Sequence, residues 1–156
     1  MSRYDAQALS DRQEIVDLLV DYAYALDTKD WELLSRSFTE DAEADYAGLG
    51  PKLTGGAAIC ADLRAIVEPL QTCSHIVSNH RIALDGDAAS STTHLIAQHV
   101  LDGAVGGPIF HVALVYHDHL RRTDQGWRIA ARRLELLWTD GNASIAEQAR
   151  ARAAGG

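Results

Sequence analysis

Residues 75–101 read His-Ile-Val-Ser-Asn-His-Arg-Ile-Ala-Leu, then Asp-Gly-Asp, then Ala-Ala-Ser-Ser-Thr-Thr-His-Leu-Ile-Ala-Gln-His-Val-Leu. Both flanks are rich in Val, Ile, Leu, Thr and His, and Asp85-Gly86-Asp87 between them carries turn chemistry. The stretch predicts two long antiparallel strands, 75–84 and 88–101, joined by a tight hairpin. Downstream the pattern repeats. Segments 109–121 and 127–138 have the same composition, set off by residues 103–108 and by Thr123-Asp124-Gln125-Gly126. Four long strands in a meander follow from this reading.

Upstream the periodicity is helical. Ser10-Asp11-Arg12-Gln13 has a capping-box pattern, and Ile15, Leu18, Leu19, Tyr22 and Leu26 follow on one face. This predicts a first helix over about residues 11–26, with Asp27 just past it. Thr28-Lys29-Asp30 breaks it, and Asp30 caps a short second helix carrying Trp31, Leu33, Leu34 and Phe38. Residues 41–46 read as a short extended piece. Gly48, Gly50, Pro51, Gly55 and Gly56 form a flexible loop, the candidate lid over a pocket. A third helix is expected over about residues 57–70, limited by Pro69, with Cys60 on it and Cys73 near its end. The Ala- and Arg-rich tail after Asn142 is either a short helix or a frayed end. Helices first and strands afterwards means α+β, with the helices packed on one face of a curved, mainly antiparallel sheet.

A chain of 156 residues suits one domain, here a core over about residues 10–142 and a tail over 143–156. No apolar run approaches the length of about 18 residues that a membrane span needs. Met1-Ser2-Arg3-Tyr4-Asp5 lacks the layout of a signal peptide, so a soluble, cytoplasmic protein is expected, with no membrane partner. The net charge of −8 argues against a nucleic-acid partner, which needs a basic patch. Cys60 and Cys73 fit no zinc motif and read as free thiols in a reducing compartment.

Several segments are familiar in order and spacing. Ala25-Leu26-Asp27-Thr28-Lys29-Asp30-Trp31 and Phe38-Thr39-Glu40-Asp41-Ala42 resemble the opening of the SnoaL-like branch of the nuclear-transport-factor-2-like (NTF2-like) superfamily. Ser74-His75-Ile76-Val77-Ser78-Asn79, Arg122-Thr123-Asp124-Gln125-Gly126-Trp127-Arg128-Ile129 and Trp138-Thr139-Asp140-Gly141-Asn142 continue the resemblance. It implies a cone-shaped half-barrel. It also implies a homo-oligomer, a trimer before a dimer, joined through the outer sheet face. Within the family the chain is most similar to lyases with an Asp-His pair: scytalone dehydratase, bile-acid 7α-dehydratase and hexachlorocyclohexane dehydrochlorinase. Their aspartate falls on Asp27 and their histidine on His75. Tyr22 and Tyr46 match tyrosines of the bile-acid enzyme, and Arg132 matches an arginine of the dehydrochlorinase. Leu26 and Gln98 depart from the pattern, replacing a tyrosine of one enzyme and an acid of another.

The chemistry implied is elimination from a small hydrophobic molecule bearing a hydroxyl or carbonyl, with no metal and no organic cofactor. An imidazole titrates at about pH 6.5 when unperturbed, which suits His75 as a base. Asp27 would hold its tautomer and stabilise the imidazolium. Tyr46 or Tyr22 would donate to a substrate oxygen, and Arg132 would hold developing negative charge. Gln98, His111 and Trp138 are further candidates for the pocket wall. The same base also suits an isomerase or a polyketide-type cyclase. A non-catalytic ligand-binding protein, or a small subunit of a ring-hydroxylating dioxygenase, is the alternative from another class.

Each residue has a plainer reading beside the chemical one. Asp27 can cap a turn, His75 can be a hydrogen-bonded strand residue, and Tyr22 and Tyr46 can be core. Strand alternation sends only one of Arg132 and Arg133 inward, and either can form a salt bridge. His111, His117 and His119 share strand parity; His117-x-His119 lacks the acidic partners that a metal site wants, so solvent-facing or interface histidines are expected. His111 reaches the pocket only if that face is the inner one.

Overall fold

A computed structural model of the chain describes residues 4–46 and 49–155. Gly48 of the expected lid and residues 1–3 of the N-terminus lie outside these. The first helix, α1 (Ala6–Thr28), begins more than a turn before the capping-box pattern. Asp5 is extended and accepts a hydrogen bond from the Ala8 backbone N–H at 2.7 Å, and Ala6, Gln7 and Ala8 are good helix formers. Ser10 therefore sits on the exposed face of the helix, bonded to Glu14 at 3.4 Å. Asp27 lies inside the last turn of α1, not beyond it. Lys29 then ends the helix in the left-handed region, φ 58°, and its ammonium donates to the carbonyls of Glu68 and Leu70 at 2.9 and 2.8 Å. Asp30 caps α2 (Trp31–Ser35) as expected, accepting from the Leu33 N–H at 2.9 Å.

Strand β1 (Phe38–Asp45) pairs with β2 (Lys52–Thr54), which gives the glycine-rich segment a strand of its own. Helix α3 (Gly56–Val67) starts against β1 so closely that a Cβ on Gly56 would lie 2.5 Å from the Thr39 carbonyl oxygen. The meander follows as β3 (Thr72–Asp85), β4 (Ala88–Val100), β5 (Ile109–Thr123) and β6 (Gly126–Gly141). Cys73 belongs to β3, not to a helix end. The sheet runs β2-β1-β6-β5-β4-β3, with β1 parallel to β6 and every other pair antiparallel. The tail is helical: α4 (Ile145–Gly155) packs on α3 and buries Ile145 and Ala149. The core runs from Ile15 and Leu19 of α1 through Ile59 and Leu63 of α3 to Leu95, Leu114, Ile129 and Leu134 of the sheet. This is the α+β arrangement, helices on one face of a mainly antiparallel sheet, that the order of elements predicts.

Three irregularities decide which side chains face inward. On β3 the pairing gains a residue between Ser78 and Arg81, where Asn79 adopts φ 54°. On β6, register shifts opposite His119/Leu120 and opposite Ala113/Leu114 leave Ala130 and Leu137 without direct partners. Each extra residue reverses the alternation beyond it.

Helix α1 is tied to the sheet by Asp11, which is buried. Its carboxylate accepts from Arg122 at 2.7 Å, Gln7 at 3.1 Å and the Trp127 indole at 3.3 Å. These bonds, that from Arg122 foremost, hold the Asp11 carboxyl at about 2, below its ordinary 3.8. A depressed carboxyl stabilises the fold fully above its unfolded value and loses that contribution as pH falls through its folded value. Urea midpoints of the wild type should therefore fall between about pH 4 and pH 2, and Asp11→Asn should flatten that limb. Parallel acid limbs in the two proteins would remove Asp11 from the account.

Candidate active site

Helices α1, α3 and α4 leave a cavity of about 340 Å³ against the inner face of the sheet. Leu63, Val67, Leu95 and Val112 give it an apolar wall, broken by His75, His99, Tyr22, Tyr46 and Tyr116. Asp62 from α3 and Glu147 and Arg150 from α4 stand on the helical side. A larger and more open depression of about 1100 Å³ crosses the sheet between β2 and β3, past His117, His119 and Lys52. Lys52 there is paired with Asp45 at 2.9 Å and His117 with Glu135 at 2.7 Å. The chemistry-bearing groups converge on the smaller cavity.

Asp27 and His75 meet there. Asp27 Oδ1 lies 2.7 Å from His75 Nδ1, and Asp27 Oδ2 accepts the His75 backbone N–H at 3.0 Å. Two bonds to one residue fix both the carboxylate and the ring. The His75 side chain is 5% exposed, and Asp27 keeps 27%. Partial burial pushes the Asp27 carboxyl up, but the hydrogen bonds from the His75 ring and backbone outweigh it and hold the group below its usual range. An ionised carboxylate only accepts, so Nδ1 carries a proton, and the neutral form of the ring has its lone pair on Nε2. His75 lines the cavity, and Nε2 is the ring nitrogen left for a ligand.

The tyrosines are donors. Burial pushes the phenols of Tyr22, Tyr46 and Tyr116 up, so each keeps its O–H. Tyr22 and Tyr116 meet edge to face, ring centres 6.0 Å apart, and the buried Tyr46 hydroxyl has no partner among the described residues. An orphaned buried hydroxyl is costly and wants an acceptor.

Arg132, not Arg133, turns inward, because the extra residue Ala130 reverses the parity set by Trp127 and Ile129. It does not reach open space. Its guanidinium donates twice to Asp118, at 2.8 Å each, and lies 3.9 Å from the Tyr116 ring centre and 4.4 Å from that of Tyr22. Its expected contact with substrate is corrected to a supporting position behind two tyrosines.

Gln98, His111 and Trp138 stand on the opposite face of the sheet from the cavity, so their expected wall positions are corrected. His111 alternates with the inward Phe110 and Val112 and bonds Gln98 at 3.2 Å. Trp138 would share the parity of Leu134, but the extra residue Leu137 turns it outward, opposite Ala113. Two residues were missed. His99 alternates inward with Leu95 and Ala97, and Tyr116 with Leu114; those apolar neighbours were the available signal. The His99 ring packs edge-on to His75, centres 5.2 Å apart, and its Nδ1 is buried without a partner among the described residues. Burial, with the neighbouring His75, lowers its pKa to about 3, so it stays neutral.

Asp27, Cys73 and His75 bring three potential metal-ligand atoms within 4.8 Å of one another. The donor set fits a metal poorly. Both Asp27 oxygens are engaged by His75, and burial and Asp27 push the Cys73 thiol up to about 12, where it stays protonated. Cys60 and Cys73 are both free thiols.

Comparison with known proteins gives the family and the fold. The profile of the SnoaL-like domain matches residues 7–133. An uncharacterised protein of Mycobacterium tuberculosis is 36% identical over 124 residues, 80% of this chain and 84% of that one. A crystal structure from Kribbella flavida superposes with a TM-score of 0.81 at 29% identity, covering 92% of this chain and 99% of the other. A protein of Novosphingobium aromaticivorans, provisionally assigned as a scytalone dehydratase, superposes with a TM-score of 0.78 at 27% identity, covering 86% and 89%.

Proposed function

Because the chain belongs to the SnoaL-like domain family, within the NTF2-like superfamily, we propose that it is a cofactor-independent lyase of the dehydratase type. The substrate class is a small hydrophobic molecule carrying a hydroxyl or carbonyl. One observation carries the reading: an imidazole held through one nitrogen by a carboxylate at 2.7 Å, on a residue that lines the cavity. A strand residue that was merely hydrogen-bonded would need neither the ionised partner nor the cavity.

His75 Nε2 removes a proton from the carbon next to an activating carbonyl, and Asp27 stabilises the imidazolium that forms. The electrons move into an enolate whose oxygen accepts from the Tyr46 hydroxyl. The enolate then expels the leaving hydroxyl, which takes the proton from His75 and departs as water. The same base would serve an isomerase or a cyclase if no group departs. His99, neutral beside His75, can bond a substrate oxygen without competing for the proton. The test is proton exchange in D₂O across a panel of cyclic ketones and β-hydroxy ketones, followed by product analysis. The wild type should wash α-protons out of at least one compound; exchange at the background rate for every compound would sink the reading.

The proposal extends to the setting. No described helix is long and apolar enough to cross a membrane, and we place the protein in the cytoplasm with no nucleic-acid partner. A homo-oligomer, with a trimer favoured, would cover the outer sheet face. There Ile76, Ile96, Ala113 and Trp138 pair in one row across four strands, with the two isoleucines and the tryptophan 61%, 52% and 49% exposed. Light scattering on the purified chain should give three times 16.9 kDa; a monomer mass would reject this.

A further inference from the structure

Among the described residues the cavity has no unspent positive charge. Arg150 donates through Nε and Nη2 to Asp62 at 2.9 and 2.8 Å, and Arg132, behind the tyrosines, is matched in the same way by Asp118. The remaining charges near the space are negative: Asp27 behind His75, and Glu147 on α4. His99 does not take a proton near neutrality and offers no counter-ion. Two buried polar atoms of cavity-lining residues lack partners among the described residues, the Tyr46 hydroxyl and His99 Nδ1, and the Tyr46 O–H seeks an acceptor.

We infer that the cavity selects an uncharged ligand with an acceptor oxygen, an uncharged cyclic ketone or its hydroxylated form, and rejects a carboxylate of the same shape. This rests on the cavity being the substrate site. A carboxylate entering the apolar wall would give up its hydration, meet no free cation among the described residues and face Glu147. A ketone loses far less hydration and satisfies Tyr46. A protonated amine would also give up its hydration against the apolar wall, at far greater cost than a ketone.

Matched pairs of bicyclic compounds test this by calorimetry at pH 7: 2-tetralone, 2-naphthoate and 2-aminotetralin, with methyl-substituted homologues of each. The ketones should bind about tenfold or more tighter than either charged series. Asp62→Asn should release Arg150 and raise naphthoate affinity about tenfold, a gain that loss of folding could not produce. Equal or tighter binding of a charged series in the wild type would overturn the inference, as would failure of every ketone to bind. The fate of the lyase reading is separate. Ketone binding without α-proton exchange would sink the catalysis and leave the selectivity, whereas exchange in a tightly bound keto-acid would do the reverse.

Discussion

His75→Ala should slow α-proton exchange and turnover by about 10²–10⁴-fold while leaving the fold in place. The loss follows from the geometry of one atom. Nε2 is the dyad nitrogen that is free to meet a ligand, since Nδ1 is held by Asp27 at 2.7 Å, and alanine offers no base in its place. The fold should survive because the ring is part of a cavity wall, so its removal enlarges an existing space and opens no new void in packed core. The His75 backbone N–H also keeps its own bond to Asp27 at 3.0 Å, which holds β3 against the end of α1. Circular dichroism and a thermal melt close to wild type, together with lost exchange, are the expected pair of results. Exchange at the wild-type rate would remove the dyad from the mechanism.

Asp27→Asn makes the sharper version of the same experiment. Asparagine has one acceptor oxygen where aspartate has two. If that oxygen keeps the backbone N–H of His75, the amide NH₂ faces Nδ1 and demands a lone pair there. The ring proton then moves to Nε2, and the base becomes a donor. Ligand affinity should stay near wild type while exchange falls by a factor approaching that of His75→Ala. Equal losses in affinity and rate would point to a structural role for Asp27.

The strands were legible because their turns are written in the chain: Asp85-Gly86-Asp87 and Thr123-Asp124-Gln125-Gly126 both mark the ends of long apolar runs. The start of α1 was not, since Asp5 and Ser10 both carry capping chemistry, and the helix formers Ala6, Gln7 and Ala8 let the earlier cap take the helix. Asp27 and His75 were found through family resemblance, with spacing that brings a helix end beside a strand start. What alternation alone could not supply was the set of side chains beyond an irregularity. Ala130 and Leu137 look like ordinary strand residues, yet each shifts the register, bringing Arg132 in and sending Trp138 out. His111 and Gln98 failed for a simpler reason. Their strands are regular there, and the apolar partners that mark the inner face, Leu95, Ala97, Val112 and Leu114, sit at the other parity.

Asp118→Ala should destabilise the protein by about 3–5 kcal/mol, a large part of the roughly 5–15 kcal/mol that holds a domain of this size together. Both partners of the Arg132–Asp118 pair have fully buried side chains, and the two bonds at 2.8 Å are the direct neutralisation of that guanidinium. The Arg132 Nη1 already lacks a partner among the described residues, so removing Asp118 would leave a buried cation with only ring faces beside it. The rings of Tyr22 and Tyr116 supply attraction but no acceptor in the guanidinium plane. Replacing both members, as in Arg132→Met with Asp118→Leu, should cost much less, because no charge is then left to desolvate. That contrast separates a buried-charge penalty from simple loss of packing. Urea unfolding of the three proteins reads it directly: a single variant within about 1 kcal/mol of wild type would mean that water reaches Arg132 when its partner is gone. In the double variant Tyr22 and Tyr116 would keep their edge-to-face contact but lose the cation beside their rings. Its exchange rate on a bound ketone would then measure how much Arg132 contributes through the two phenols.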